Sequence, residues 1–377
     1  MNAHPGTPVF FLVPDAIDDP ERVSGGNVYD QRVRDGLRGE GWEVRMLPVA
    51  DGDHGRTARA LSLLPDGALV LVDGLLGARH PDVLLAQGMR LRLVILAHMA
   101  AAGLTDDERG AFRAARRIIA TSRWTRAELI EQDAADPQRI VVAHPGTDPA
   151  PATTASASGG RLLSVATVAP HKGQDLLVRA LADVADVEGW TCTIVGSLRA
   201  APGFVAELTA AIASAGLADR VTFAGVLTGR PLQDAYARAD LVILPSRSES
   251  YGMAVAEALA RGIPVLASDV GGISEAIAGS GAGMIVPPDD PWALDVVLRQ
   301  WWASPARRQE LKAAALAARG AARTWSATTA IIASTLAETA RADATRTDDV
   351  RTDAMRTDDA RTNGGGDRAR AGSATPS

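Results

Sequence analysis

Two glutamates with seven residues between them flank the start of a predicted helix. The run Glu249-Ser-Tyr-Gly-Met-Ala-Val-Ala-Glu257 follows a short apolar strand at residues 241–244, which ends at Pro245. Apolar residues with helical spacing begin after Gly252, so the segment is predicted to form a strand, a loop and a helix. The first turn of a helix offers unpaired N–H groups and a positive dipole end, which favour an anion. In an open α/β sheet, such a loop lies at the edge where ligands bind.

A phosphate alone does not explain two carboxylates at this position, because like charges repel. Hydroxyl groups are the natural partners, since a carboxylate accepts two hydrogen bonds and a sugar ring offers neighbouring donors. The pattern therefore indicates a ligand that carries both phosphate and sugar. On the spacing alone, a solvated loop and a glutamate that stabilises the helix N-terminus explain it equally well.

The segment resembles the motif of glycosyltransferase family 4, the retaining glycosyltransferases with the GT-B fold. That motif is a Glu, seven residues and a second Glu, with an aromatic-Gly pair between them, here Tyr251-Gly252. It continues into Pro264-Val-Leu-Ala-Ser-Asp-Val-Gly-Gly-Ile-Ser-Glu275. The resemblance covers about residues 9–340 and is strongest over residues 162–287. It implies an α/β protein of GT-B type, with two Rossmann-like domains facing across a cleft.

Composition limits the function classes. The chain has 377 residues, enough for two domains, and a formal net charge of −6, which argues against nucleic acid as the main partner. One cysteine, Cys192, excludes an internal disulfide and fits a reducing compartment. The apolar run at residues 9–13 is too short for a signal peptide, and no run approaches the length of a membrane span. We expect a soluble cytoplasmic protein and leave peripheral membrane contact open.

Apolar runs alternate with helical patterns in both halves of the chain, which predicts parallel βαβ units. The predicted strands of the first half are residues 8–13, 42–49, 68–72, 91–97, 118–120 and 140–142. Those of the second half are residues 162–168, 191–195, 221–223, 241–244, 265–267 and 284–286.

These patterns and the resemblance together predict five parts of the chain. Residues 1–150 form an N-terminal Rossmann-like acceptor domain, residues 151–160 a linker, and residues 161–325 a Rossmann-like nucleotide-sugar domain. The resemblance implies that a helix at residues 326–340 returns to the first domain. Residues 341–377 contain the repeat Arg346-Thr-Asp-Asp-Val, Arg351-Thr-Asp-Ala-Met, without apolar periodicity, and are predicted to be disordered.

Lys172 lies in Ala169-Pro-His-Lys-Gly173, in the predicted loop after the first strand of the second domain. It matches the family's Lys-Gly motif, which implies contact with the donor's diphosphate. The family usually has an arginine several residues earlier, where this chain has Thr167. Arg247 is a candidate to replace that cation and to bind the donor.

Further candidates lie at strand ends of the first domain. His98 ends the predicted strand 91–97, and the family commonly has a histidine there, near the transferred sugar. Gly25 and Gly26 precede the first helix, where glycine allows close approach of the backbone to a donor. Asp73 ends another strand and is a candidate acceptor contact. His144 and His171 lie in loops and are interpreted as ordinary loop residues.

Asp51-Gly-Asp53-His54 looks like the Asp-x-Asp metal motif of the other main glycosyltransferase fold, but a charged turn after a strand explains it. We therefore predict no catalytic metal and no cofactor beyond the nucleotide-sugar substrate. Three arginines, Arg113, Arg116 and Arg117, are either a basic face for anionic lipid or the solvated side of a helix.

The resemblance implies a retaining glycosyltransferase that uses a nucleotide-diphosphate sugar and an unidentified small-molecule, glycan or lipid-linked acceptor. In this reading Glu257 binds the ribose hydroxyls and Glu249 the sugar hydroxyls. Lys172 and the backbone N–H groups around Tyr251-Gly252-Met253 stabilise the leaving diphosphate, and His98 positions the sugar. Two alternatives stay open. One is a nucleotide-sugar epimerase or hydrolase of GT-B fold, and the other is a non-catalytic nucleotide-sugar binding protein.

Overall fold

Two six-stranded parallel sheets, each covered by helices, form the protein. A computed structural model describes residues 8–50, 52–99 and 103–341. The two sheets confirm the predicted fold class, with two Rossmann-like domains. The prediction of a disordered tail concerns residues that, except for Arg341, lie outside the described part of the chain.

The first domain is built on a sheet with the strand order β2-β1-β3-β4-β5-β6. Its strands are β1 (Val9–Pro14), β2 (Val44–Val49), β3 (Leu69–Asp73), β4 (Arg92–Ala97), β5 (Arg117–Ala120) and β6 (Ile140–Val142). Its helices are α1 (Gly25–Gly39), α2 (His54–Ser62), α3 (Gly74–Arg79), α4 (Pro81–Gln87), α5 (Asp106–Ala114) and α6 (Arg123–Glu131). The inner strands are mainly apolar, with charged residues only at their ends, because helices cover both faces of a parallel sheet.

The second domain repeats the plan with the strand order β12-β11-β10-β7-β8-β9. Its strands are β7 (Arg161–Val165), β8 (Thr191–Val195), β9 (Val221–Gly225), β10 (Leu241–Leu244), β11 (Val265–Ser268) and β12 (Gly283–Val286). Its helices are α7 (Gln174–Asp183), α8 (Pro202–Ser214), α9 (Gly229–Arg238), α10 (Met253–Ala260), α11 (Ile273–Ile277), α12 (Pro291–Ala303) and α13 (Pro305–Ala318). The strand predicted at residues 162–168 ends earlier, at Val165, and leads into the loop that carries Lys172.

The last helix of the described chain, α14 at residues 325–341, packs on the first domain. Its buried residues Ile332 and Leu336 belong to the same core as Phe11 of β1 and Leu37 of α1. Arg92 of β4 also donates a hydrogen bond, 2.9 Å long, to the carbonyl oxygen of Ala340. The chain therefore starts and ends its described fold on one domain, after passing through the other.

Among the residues that the structure describes, no helix combines the length and apolar character needed to cross a bilayer.

Candidate functional site

The loops at the carboxyl ends of the two sheets enclose a cavity of about 350 Å³ between the domains. Helix N-termini and strand ends from both domains meet there, as expected for ligand sites in open α/β sheets. Eight of the predicted site residues line this cavity: Gly25, Gly26, His98, Lys172, Glu249, Tyr251, Gly252 and Met253.

Lys172 and Glu249 form an ion pair at the wall of the cavity. The Lys172 Nζ atom donates a hydrogen bond to Oε2 of Glu249 over 2.8 Å, and each side chain is 15% exposed. Gly173, beside Lys172, has φ of +67°, and a Cβ atom there would lie 1.9 Å from the carbonyl oxygen of Pro245. Only glycine therefore allows the β7 loop to pack against the β10 loop and bring the two charges together.

The start of α10 forms another part of the wall. Tyr251, Gly252, Met253 and Ala254 line the cavity, and no side chain of the described residues caps this helix. Its first-turn N–H groups therefore lie at the cavity, beside the ammonium group of Lys172. Such an arrangement suits a negatively charged group of a ligand.

Glu257 lies one turn further along α10 and is held by a buried tyrosine. The Tyr236 hydroxyl donates a 2.7 Å hydrogen bond to Oε2 of Glu257, and the Arg261 guanidinium lies 4.5 Å from the centre of the Tyr236 ring. Burial raises the pKa of Glu257 above its usual value, and the bond from Tyr236 opposes that rise. Tyr236 was missed in the sequence because its position on α9 carries no local sign of a partner on α10.

A second cavity of about 140 Å³ lies beside the first, and Glu257 lines it. The two cavities share Ser24, Gly25, Thr167 and Met253, so they form one continuous cleft. Much of the second wall is apolar: Val165, Val195, Val226, Leu227 and Leu232. Apolar walls with one carboxylate suit a flat ring attached to a hydroxyl-bearing sugar.

His98 lies on the first-domain side of the cavity, between two buried carboxylates. Its Nε2 atom is 2.9 Å from Oδ1 of Asp30 and 3.2 Å from Oδ2 of Asp73, and Asp30 is fully buried. Burial by itself lowers the pKa of His98, but the two carboxylates outweigh it and raise the pKa to about 10. Asp30 was missed in the sequence, because it follows Tyr29 on a helix face that faces the core.

The buried carboxylate of Asp73 corrects the expectation that this residue contacts an acceptor. Its Oδ1 atom accepts a 2.9 Å hydrogen bond from the backbone N–H of Leu76, which caps α3, and its other oxygen faces His98. His98 lowers the pKa of this carboxyl, although burial acts in the opposite direction. Asp73 therefore contacts His98, which lines the cavity, rather than lining the cavity itself.

The surroundings of Arg247 correct the expectation that it supplies the missing diphosphate cation. Its guanidinium donates two 2.7 Å hydrogen bonds to Asp175 and another to the backbone oxygen of Pro170, and it pairs with Asp289. These partners engage its donors away from the cavity lining. Thr167, where the family has arginine, instead donates a 3.4 Å hydrogen bond across the cleft to the backbone oxygen of Val23.

The segment that looks like an Asp-x-Asp motif, interpreted from sequence as a charged turn, has local partners. Oδ1 of Asp53 caps α2 by accepting from the N–H of Arg56, and Nε2 of His54 lies 2.7 Å from Asp82, while Asp51 is outside the described residues. In the described part of the chain, Asp30, Asp73 and His98 are the groups of metal-ligand type whose ligand atoms lie within 4.8 Å of one another. Direct contact of Nε2 with both carboxylates is accounted for by ion pairing with a protonated ring.

The sequence also missed a contact between the domains beside the cavity. The Glu275 carboxylate accepts hydrogen bonds from the backbone N–H groups of Arg123 (2.9 Å) and Trp124 (2.6 Å), at the start of α6 in the first domain. Nε2 of His144, interpreted from sequence as an ordinary loop residue, lies 2.9 Å from the same carboxylate.

The loop before Glu275 is fixed against the loop that carries Glu249. Gly271 has φ of +55°, and a Cβ atom there would lie 1.6 Å from the backbone oxygen of Glu249, which accepts a hydrogen bond from Gly272. The loop that leads to the interdomain contact of Glu275 therefore packs directly against the loop that carries Glu249.

Part of the chain is similar to known glycosyltransferases. Residues 155–317, which include Lys172, Glu249 and Glu257, match the family described as "Glycosyl transferases group 1". Curated relatives include two proteins named D-inositol 3-phosphate glycosyltransferase. The one from Kineococcus radiotolerans is 35% identical, and the match covers 60% of this chain and 58% of that protein. The one from Salinispora tropica is 33% identical, and the match covers 48% of this chain and 42% of that protein. The chain thus spans about half the length of these relatives.

Solved structures resemble the whole two-domain fold. Sucrose-phosphate synthase from Thermosynechococcus elongatus has a TM-score of 0.72 and 20% identity, covering 86% of this chain and 97% of that one. Anabaena HepE in complex with UDP-glucose has a TM-score of 0.71 and 19% identity, covering 88% and 99%. The chain therefore has the GT-B fold.

Proposed function

We propose that this protein is a retaining glycosyltransferase that transfers a sugar from a nucleotide-diphosphate sugar to an acceptor, without a metal ion. The observation that carries the proposal is the single cleft that holds Lys172, Glu249, Glu257 and the start of α10. A cation and free N–H groups suit the diphosphate, while the carboxylates suit hydroxyl groups of the ribose and the sugar.

The two connected cavities support the assignment of the donor. The apolar cavity beside Glu257 takes the nucleoside, with the ribose hydroxyls on that carboxylate. The diphosphate then lies at Lys172 and the N-terminus of α10, and the sugar extends toward Glu249 and His98. Anabaena HepE, whose structure contains UDP-glucose, has the same fold. We therefore take UDP-glucose as the first donor probe.

The contacts of Glu249 favour a positioning role over a nucleophilic one. In the free protein its carboxylate is paired with Lys172 at 2.8 Å, which places it between the proposed diphosphate contact and the hydroxyl groups of the sugar. In the proposed reaction the acceptor oxygen attacks the anomeric carbon on the face from which the diphosphate leaves. The bond to the diphosphate oxygen breaks, and the acceptor proton passes to that oxygen. Lys172 and the α10 N–H groups stabilise the negative charge that develops there.

A neighbouring cavity suggests the chemical class of the acceptor. It has a volume of about 560 Å³, shares Ser24, Leu75 and Thr167 with the donor cavity, and is lined by Arg22, Arg79 and Arg199. Arginine side chains suit a phosphate group. The relatives are named D-inositol 3-phosphate glycosyltransferases. We therefore propose a phosphorylated polyol as the acceptor and the cytoplasm, where Cys192 stays reduced, as the compartment.

Product analysis tests this proposal. The protein is incubated with UDP-glucose, with and without D-inositol 3-phosphate, and products are identified by mass spectrometry and by the anomeric proton coupling in NMR. An α-linked glycoside supports retaining transfer, since the donor is α-linked. Free glucose or an epimerised donor would indicate the hydrolase or epimerase, and binding without any product would indicate a binding protein. Glu249→Gln should abolish transfer, and Glu310→Gln, an exposed change of the same type, is the control.

A further inference from the structure

The arrangement around His98 fixes which ring nitrogen faces which partner. Nε2 contacts the carboxylates of Asp30 and Asp73, and both of these side chains are buried. The His98 ring also lies beside the glycine loop, since a Cβ atom on Gly26 would be 3.7 Å from its Cδ2 atom. His98 lines the donor cavity, so Nδ1 is the ring nitrogen through which it can serve a ligand.

The protonation state of the ring decides what Nδ1 offers. A neutral imidazole beside two carboxylates keeps its single proton on Nε2, and Nδ1 is then a hydrogen-bond acceptor. A doubly protonated ring presents an N–H donor at Nδ1. Two carboxylates around one imidazolium leave the cluster without excess positive charge, so its ligand is an uncharged oxygen, such as a sugar hydroxyl, rather than a phosphate.

We propose that Asp30 is a positioning residue: with Asp73, it keeps His98 doubly protonated, so that Nδ1 always presents an N–H donor to the bound sugar. The part of this inference that concerns the sugar rests on the proposed function. The protonation of His98 depends only on the buried cluster. Asp30 lies on α1 and Asp73 on β3, so the two carboxylates approach the His98 ring from different elements. The packing of these elements therefore stabilises the positive charge of the ring.

The other groups that face His98 agree with this assignment. From α1, the Tyr29 ring meets it edge-on at 5.4 Å, and the Tyr29 hydroxyl is engaged with the backbone oxygen of Ala143. From the turn after β5, Thr121 donates a hydrogen bond to the backbone oxygen of His98. Across the cavity the ionisable groups among the described residues are the paired Lys172 and Glu249, the His171 ring and the Tyr251 hydroxyl. The carboxylates in direct contact with the ring are thus those of Asp30 and Asp73.

The titration behaviour follows from these contacts. The carboxylates raise the pKa of His98 to about 10 against the effect of burial. Burial raises the pKa of Asp30 to about 7, while His98 lowers it. At a pH below the pKa of Asp30, the carboxylate of Asp73, whose pKa is lowered, still provides an ionised partner for the His98 ring. The ring therefore stays charged on both sides of neutral pH.

NMR of the histidine rings tests the inference without any substrate. The full chain contains six histidines, and ¹⁵N labelling of histidine with a His98→Asn variant assigns the His98 signals. We expect both ring nitrogens of His98 to stay protonated from about pH 6 to about pH 9. In Asp30→Asn, Nδ1 should lose its proton within that interval. The control, Asp82→Asn, should change the signals of its partner His54 and of the neighbouring His80, and leave those of His98 unchanged. Titration of wild-type His98 near its ordinary pKa would overturn the inference, even if Asp30→Asn failed to fold.

Kinetics with UDP-glucose tests the functional part. Turnover of the Asp30→Asn variant relative to wild type should fall as the pH rises from about 6 to about 9, by about tenfold for each pH unit above the new pKa of His98, while KM changes little. Equal loss at every pH would point to a merely structural role and overturn the positioning role. If UDP-glucose is not turned over by the wild type, the proposed function fails, and the NMR result still decides the state of His98.

Discussion

The Lys172 ammonium group lies 2.8 Å from Oε2 of Glu249, although 77 residues separate the two in the chain. The pair joins the proposed diphosphate contact to the proposed sugar contact. A donor that binds there takes over the positive charge of Lys172 and leaves Glu249 to the hydroxyl groups of the sugar. The state of this pair should therefore change between the free and the donor-bound protein.

Lys172→Ala should reduce turnover more than donor affinity. Negative charge at the leaving oxygen grows as the glycosidic bond breaks, and an interaction that strengthens only in the transition state lowers the barrier. The activation free energy that corresponds to kcat should rise by about 3 kcal/mol, the scale of losing one preorganised stabilising group. Steady-state kinetics on this variant and on Arg230→Ala, an exposed change on α9, provide the measurement.

Thr167→Arg in the Lys172→Ala background should restore part of the rate, because Thr167 lines the same cavity and occupies the position of the family's arginine. Near-normal turnover of Lys172→Ala alone would place the phosphate site elsewhere.

Tyr236→Phe should weaken donor binding by removing the hydrogen bond that orients Glu257. A hydrogen bond to a charged group contributes about 1.5–3 kcal/mol, and Glu257→Ala should lose about ten- to a hundredfold in affinity. Calorimetry with UDP measures both. Because the two residues act as a unit, the double variant should bind no more weakly than Glu257→Ala. Additive losses would contradict that coupling.

Glu275→Gln should loosen the contact between the domains. The glutamine amide is uncharged, so the N–H groups of Arg123 and Trp124 at the start of α6 lose an ionised acceptor. His144 loses its contact with a carboxylate in the same way. We expect a lower melting temperature and a larger radius of gyration by small-angle X-ray scattering. Glu310→Gln, on an exposed pair of α13, should change neither quantity. An unchanged radius with normal stability would show that the contact does not hold the cleft closed.

The free energy of unfolding should fall as the pH rises from about 6.5 to about 10, because His98 loses its proton in this range. Its pKa is raised to about 10 from an ordinary value of 6.5, so the folded state binds the proton more tightly than the unfolded state does. The contribution is complete below the unfolded pKa of 6.5 and is lost as the pH approaches 10. Melting temperatures between these limits measure it, and His98→Gln should flatten the slope.

Activity should survive removal of metal ions. Charge stabilisation at the diphosphate is assigned to Lys172 and the N-terminus of α10, and the Asp30–His98–Asp73 cluster is assigned to ion pairing. Transfer should therefore be unchanged after treatment with EDTA and removal of the chelator, and elemental analysis should find no bound metal. Loss of activity that a divalent cation restores would overturn both assignments.

The sequence by itself determined the features that depend on contiguous residues. Strand runs, helix starts and the spacing from Glu249 to Glu257 are local, and their burial and periodicity follow from the pattern of apolar residues. The pair Lys172-Gly173 is local in the same sense. For this reason the two-domain fold and the α10 segment could be predicted from the sequence.

Tertiary structure alone decided which charges meet. Asp30 of α1 meets His98, which follows β4, and no spacing along the chain encodes that juxtaposition. Arg247 was a candidate for the missing diphosphate cation, and the structure pairs it with Asp175 and Asp289. Contacts between strand ends depend on sheet order and on the approach of two domains, which arise from the packing of the whole chain rather than from any one segment.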